Sequence, residues 1–170
     1  MSDRIRLDGK VAVVTGAAGV IGTATMRLLA ARGARIVAVD RKAADLQSAV
    51  KDLPASAQAL AVPADVTSED EVADYVRAAV DQFGTVDVFY NNAGIEGDVA
   101  PITKYSLETF RRVIDVNVVG VFLGMKHVLP VMLKQTSASR TRTQEAARAL
   151  HHRADLLYFH VSIAARNRTI

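Results

Sequence analysis

Residues 15–22 read TGAAGVIG, with glycines at 16, 19 and 22 between an apolar run and a long helical pattern. Glycine is costly in chain entropy, so this spacing raises the question of what comes too close to the backbone for side chains to be present. A helix start carries unpaired N–H groups and partial positive charge, which suits phosphate. Glycines there let a pyrophosphate approach the backbone and let helix and strand pack closely. The plainer alternative is a tight strand-to-helix turn with no ligand. Asp40 ends the next apolar run, 18 residues beyond Gly22. A carboxylate at that point can accept both hydroxyls of an adenosine ribose and repels a 2′-phosphate, which favours NAD over NADP. Arg41 and Lys42 soften the preference, since a basic neighbour attracts that phosphate. Taken alone, Asp40 reads better as a solvated loop carboxylate, and it is its position at the end of the second run that favours the ribose reading.

Three further positions invite chemistry. NNAG at 91–94 closes another apolar run. Asparagine amides and a glycine at the carboxyl edge of a parallel sheet lie where ligands bind in such folds, although the same four residues also make an ordinary turn. Asp65, after the third run, is either a site residue or a helix-flanking acid. Asn117 stands on the apolar face of the longest helical pattern. A buried amide must find hydrogen-bond partners, so it either satisfies the core or holds a kink and a water.

These residues need elements to place them. Lys10 to Val14, KVAVV, is a short and nearly continuous apolar run that suits a strand covered on both faces. Ile21, Ala24, Thr25, Leu28 and Leu29 then repeat at helical spacing up to Gly33. Strands are expected at 35–40, near 57–62 and at 86–90, with a helix over roughly 43–53 between the first two. Ser68 with Glu71 three residues on is a capping-box pattern. It opens a helix whose apolar face is Val72, Tyr75, Val76, Ala79, Val80 and Phe83. A long helix is expected over about 107–134, with Phe110, Val113, Ile114, Asn117, Val121, Met125, Val128 and Met132 inward. Strands alternating with helices through short connections give an α/β fold with a parallel sheet and right-handed crossovers.

Composition divides the chain near residue 135. Residues 1–135 hold 15 Lys/Arg against 16 Asp/Glu, whereas 136–170 hold six Arg against Glu145 and Asp155. The tail also holds three of the four histidines and none of the ten glycines. Two units are therefore expected: a domain over 1–135 and a basic tail over 136–170. In the tail only LLYFHVSI, 156–163, has a strand-like pattern. Six arginines without interleaved aromatics read as a solvated arm rather than a nucleic-acid surface. His151 and His152 have no second ligand pair at metal spacing, so no metal is expected. The absence of cysteine fits a reducing, cytoplasmic setting. No uncharged apolar run nears the roughly 18 residues of a membrane span, and no membrane partner is expected.

TGAAGVIG, VAVD, ADVT, NNAG and IDVNVVGVFLGMKHVLPVM, in this order and spacing, resemble the short-chain dehydrogenase/reductase family over about residues 7–135. One departure is Val20, where many members have glycine, with glycine at 19 instead. The resemblance implies a Rossmann-type, doubly wound parallel sheet, incomplete at its C-terminal side, that binds a nicotinamide dinucleotide. It implies that Gly16, Ala17, Ala18, Gly19, Ile21 and Gly22 cradle the cofactor, with Asp40 and Arg41 at the adenosine ribose. Asp65 and Val66 would flank the adenine, and Asn92, Ala93 and Gly94 the nicotinamide. Asn117 matches the helix asparagine that helps maintain a proton relay. Members usually pair as dimers or tetramers, so a homo-oligomer through the 107–134 helix is implied.

The family's chemistry also needs a tyrosine with a lysine four residues later. The ammonium favours tyrosinate, so the phenol can act as base near neutral pH. Here Tyr75, Tyr90, Tyr105 and Tyr158 are followed at that spacing by Ala79, Gly94, Thr109 and Ser162, and the last lysine is Lys134. Ser162, in HVSIAAR, resembles the serine that ends the family's fifth strand and is the one candidate catalytic survivor besides Asn117. Either some twenty residues stand inserted before it, or the tail is unrelated sequence. Two functions follow as expectations. One is an NAD-dependent oxidoreductase acting on a secondary alcohol or ketone. The other is a dinucleotide-binding module with little turnover that associates with intact relatives.

Overall fold

The structure is a computed structural model and describes residues 6–140. Ser162 and the strand expected at 156–163 lie outside the described residues.

Four strands form the sheet: β1 (Val11–Thr15), β2 (Arg35–Asp40), β3 (Ala59–Pro63) and β4 (Val88–Tyr90). They run parallel in the order β3-β2-β1-β4. Helix α1 (Val20–Ala31) joins β1 to β2, α2 (Ala43–Lys51) joins β2 to β3, and α3 (Glu69–Phe83) joins β3 to β4. After β4 the chain runs without regular structure to a single 3₁₀ turn, Ile102–Lys104, before α4 (Leu107–Ile114) and α5 (Gly120–Arg140).

The alternation within the central strands explains why helices cover both faces. Val11 and Val13 of β1, with Val37 and Val39 of β2, bury against Val72, Tyr75, Val76 and Ala79 of α3 and against Leu123 and Val128 of α5. Their neighbours Ala12, Val14, Ile36 and Ala38 bury on the other face against Met26 and Ala30 of α1 and Leu46 and Ala49 of α2. A strand apolar at every position can only sit between two such layers. The doubly wound α/β sheet expected from the sequence is what forms.

Three local expectations need correction. Ser68 stands at the N-cap of α3, but its side chain makes no capping bond. Glu71 does not complete a capping box either, because its Oε2 accepts the Asp65 N–H at 2.8 Å. The 107–134 helix is continuous but not uniform. Residues Asp115–Val119 form a π-helical turn in which the Gly120 N–H donates to the Asp115 carbonyl, five residues back. One extra residue per turn rotates everything before it by about a quarter turn relative to a regular helix. Thr109, Gly120, Leu123, Gly124 and Val128 therefore carry the buried face. Phe110 and Ile114, expected inward, stand 51% and 37% exposed. This 28-residue span is long and apolar enough, by length and composition, to cross a bilayer. Its buried Leu123 and Val128 pack with the α3 and sheet residues.

Candidate functional site

The chain winds outward from β1 through β2 to β3 and returns to the far side of β1 as β4. At such a switch point the loops above the strand ends part and leave a crevice. Here the crevice is a cleft of about 380 Å³. Gly16, Gly19, Ile21 and Gly22 line it from the first turn, Asp40 and Arg41 from the end of β2, Asp65 and Val66 from the end of β3, and Asn92, Ala93 and Gly94 from the end of β4. Eleven of the sequence-derived candidates thus converge on one surface.

The glycines answer first to the chain itself. Gly16 has φ +64°, and a Cβ there would lie 2.9 Å from the Ala93 Cα and 3.0 Å from the Asn92 Nδ2. At Gly22 a Cβ would lie 2.1 Å from the Gly16 carbonyl oxygen. Gly16 lets the turn pass against the end of β4, and Gly22 lets α1 begin directly on the turn.

The amides of the turn divide into used and unused. Ala17 donates to the Val39 carbonyl at 3.1 Å, and Gly19 to the Gly16 carbonyl at 3.2 Å. Ala18 donates to Asp40 Oδ2 at 3.0 Å. Ala17 is fully buried, and neither alanine lines the cleft. The first three amides of α1, on Val20, Ile21 and Gly22, have no hydrogen-bond partner among the described residues. Gly19, at the N-cap, offers no side chain to satisfy them. The donors free for an anion are therefore those of Val20, Ile21 and Gly22, rather than those of Ala17 and Ala18. Sequence reading passed over Val20 because its side chain interrupts the glycine pattern, although a backbone donor needs no particular side chain.

The β4 side is held by Thr15, another residue that sequence reading missed. Its fully buried Oγ1 accepts the Asn92 N–H at 2.9 Å and the Ala93 N–H at 3.0 Å, and donates to Asn91 Oδ1 at 3.3 Å. Asn92 returns the contact, donating from Nδ2 to the Thr15 carbonyl at 3.0 Å. Asn91 Nδ2 donates to the Val121 carbonyl at 3.0 Å and ties the segment to α5. NNAG is thus a fastened strand end. The only hint of Thr15 in the sequence was a hydroxyl immediately before the first glycine.

Asn117 does not line the cleft. It sits in the π-helical turn, where its Nδ2 donates to the Ile95 carbonyl at 2.9 Å and its Oδ1 accepts the Ile95 N–H at 2.9 Å. The half-buried amide is satisfied by backbone, and the backbone is that of the loop leaving NNAG. Ile95 itself lines the cleft, as do Ala64 and Val116. At the opposite wall Asp65 Oδ1 accepts from the Thr67 N–H and hydroxyl, and Arg41 Nη1 stands 3.9 Å from Asp65 Oδ2. Both walls are preorganised by the chain's own hydrogen bonds. The free donors and acceptors between them match a ligand with a diphosphate next to a polyhydroxylated sugar.

Known proteins resemble this chain in sequence and in fold. The family model described as short chain dehydrogenase matches residues 10–140. The chain is 44% identical over 147 residues to the mitochondrial borneol dehydrogenase of Lavandula x intermedia, covering 85% of this chain and 54% of that protein. It is 37% identical over 145 residues to the levodione reductase of Leifsonia aquatica, covering 84% and 54%. The crystal structure of NAD+-bound xylitol dehydrogenase superposes with a TM-score of 0.75 at 38% identity, over 77% of this chain and 51% of that one. The chain spans about half the length of these relatives. With the family model spanning the sheet, the cleft and the long helix together, the chain belongs to the short-chain dehydrogenase family.

Proposed function

We propose that this chain binds a nicotinamide dinucleotide at the carboxyl edge of its sheet and serves an oxidoreductase that interconverts a secondary alcohol and a ketone. The observation that carries the reading is the trio of unpaired α1 amides in one cleft with Asp40. The Val20, Ile21 and Gly22 amides would hold the diphosphate beside Gly16 and Gly19. Asp40 would take the adenosine ribose, with Arg41 beside it. Asp65 and Val66 would flank the adenine, and Asn92, Ala93 and Gly94 would line the nicotinamide side. A bound nicotinamide supplies the hydride acceptor or donor. NAD is preferred, because the Asp40 carboxylate would meet the 2′-phosphate of NADP with like charge. The NAD+ named in the xylitol dehydrogenase structure supports this choice. Borneol, levodione and xylitol in the relatives' names support an alcohol or ketone as substrate. A cysteine-free chain suits a reducing compartment, and our reading is cytoplasmic.

The 170-residue chain by itself turns over little on this reading. No tyrosine in it is followed by a lysine at the fourth residue, and losing a general base costs about 10²–10⁴-fold. Asn117 acts by holding the Ile95 backbone, and Ser162 is the remaining candidate for steadying a substrate oxygen. Association with a second copy or with an intact relative is supported by apolar side chains left in solvent along α4, the π-helical turn and α5. They comprise Leu107, Phe110, Ile114, Val118 and Phe122.

Titration calorimetry with NAD and NADP, run beside NADH formation on a panel of secondary alcohols, tests both parts. Binding of NAD without turnover is the expected result. Brisk NADH formation overturns the low-turnover part. Failure of both dinucleotides to bind folded protein at millimolar concentration overturns the whole reading.

A further inference from the structure

Asp40 is engaged before any ligand arrives. Its Oδ2 accepts the Ala18 N–H at 3.0 Å and its Oδ1 accepts the Arg41 N–H at 2.8 Å. One residue earlier on each segment, the Ala17 N–H donates to the Val39 carbonyl at 3.1 Å. Two successive amides of the turn are therefore tied to two successive residues at the end of β2. The first tie is backbone to backbone and survives any substitution at position 39. The second exists only because position 40 carries an acceptor. Ala18 directly precedes Gly19, the N-cap behind the unpaired Val20, Ile21 and Gly22 amides. Whatever fixes Ala18 fixes the direction of those amides.

Each carboxylate oxygen offers two lone pairs. One on each is taken by a backbone N–H, which leaves one on each for a neighbouring pair of hydroxyls. Anchoring the turn and accepting from a ribose are compatible roles for the same group. They have opposite consequences for the diphosphate. By charge alone a carboxylate beside a diphosphate repels it, so removing Asp40 strengthens binding of that group. By anchoring, removing Asp40 frees the Ala18 N–H, loosens the turn and weakens binding.

We propose that Asp40 is a positioning residue for the diphosphate, acting through the Ala18 amide, in addition to recognising the sugar. This rests on the dinucleotide reading above and deepens it. Exchanging Asp40 for a small residue to admit NADP would then loosen the grip on any dinucleotide.

The test uses the full chain, its Asp40→Ala and Asp40→Asn variants, and two ligands, ADP and 2′,3′-dideoxy-ADP. The second keeps the diphosphate but lacks both ribose hydroxyls. Calorimetry is expected to show dideoxy-ADP binding about five- to tenfold more weakly to D40A than to wild type, the entropic cost of fixing about one loosened residue when the ligand binds. D40N, turned so that its side-chain oxygen still accepts from Ala18, keeps the anchor and loses the charge, so it is expected to bind dideoxy-ADP at least as tightly as wild type. Equal or tighter binding of dideoxy-ADP by D40A overturns the proposal. Hydrogen exchange on ligand-free protein reads the anchor directly. The Ala18 amide is expected to be protected in wild type and D40N and fast in D40A, and a fast amide in wild type also overturns the proposal. Absence of nucleotide binding to wild type overturns the dinucleotide reading, whereas an Ala18 amide that only D40A releases still establishes the anchor.

Discussion

Single residues decide whether the turn after β1 can exist. Gly22 has no room for a methyl group, since its Cβ would overlap the Gly16 carbonyl oxygen at 2.1 Å and the Ala17 Cα at 2.9 Å. Both obstacles are backbone, so the turn itself must move. Gly22→Ala is expected to cost about 1–3 kcal/mol of stability and to weaken NAD binding at least tenfold, measured by urea unfolding and calorimetry. Thr15→Val keeps the shape and removes the hydroxyl that serves Asn92 and Ala93. Two part-buried N–H groups then lose their acceptor, at about 1 kcal/mol each, and the same two measurements read the loss. Tyr75 presents the reverse case. Its hydroxyl is buried without a partner among the described residues, and burial holds the phenol well above its ordinary pKa. Tyr75→Phe removes an unsatisfied group and leaves the ring packing intact. It is expected to raise stability by about 1 kcal/mol, and a lower urea midpoint in the variant would count against this account.

At the scale of elements, the long helix does its work through its irregular turn. The π-helical turn at Asp115–Val119 carries Asn117, and its two-way bond to Ile95 joins the helix to the loop beyond β4. The apolar periodicity of 107–134 announced a helix, and it also placed Asn117 on the inner side. It did not announce the extra residue, because a π-turn leaves no composition signature. That is why Phe110 and Ile114 were expected inside and stand in solvent. A second link joins α3 to α5: Glu69 Oε1 lies 2.6 Å from Lys126 Nζ and 3.1 Å from His127 Nε2. The hydrogen bonds from Lys126, and then from His127, hold the Glu69 carboxyl below the usual range. A lowered carboxyl pKa contributes stability that is complete above the unfolded-state value and fades as pH falls through the folded-state value. The melting difference between wild type and Glu69→Gln is therefore expected to be fully present above the ordinary carboxylate range and to shrink as pH falls below it. The pair is solvent-exposed, so the difference is small. A difference that grows on acidification would refute the assignment.

At the scale of the whole molecule, the open question is what covers α4 and α5. Phe110 is 51% and Phe122 57% exposed, and Leu107, Ile114 and Val118 are exposed along the same helical span. Several exposed large apolar side chains on one helical span suit a contact between chains. Melting temperature is expected to fall on hundredfold dilution, and Val118→Glu is expected to remove that dependence by placing a charge among them. A melting temperature indifferent to dilution would exclude association through this span. Ligand acts on the same scale. NAD at a hundred times its dissociation constant is expected to stabilise the fold by about 2.7 kcal/mol, with NADP at equal concentration doing less.

The amino-acid sequence by itself determined the layering and the list of residues at the cleft. Apolar runs of five or six residues, alternating with helical periods, admit few arrangements besides a parallel sheet covered on both faces. Residues at the ends of those runs must then gather on one edge, as Gly16, Asp40, Asp65 and Asn92 do. Only the tertiary structure decided which backbone donors remain free. Ala17, Ala18 and Val20 look alike as amides along the chain. They differ because β2 brings the Val39 carbonyl and the Asp40 carboxylate to the first two and nothing to the third. Thr15 and Asn117 owe their roles to partners 76–78 and 22 residues away. A hydrogen bond needs its two atoms within about 3 Å, and local pattern carries no information about contacts at that range between segments so far apart in the chain.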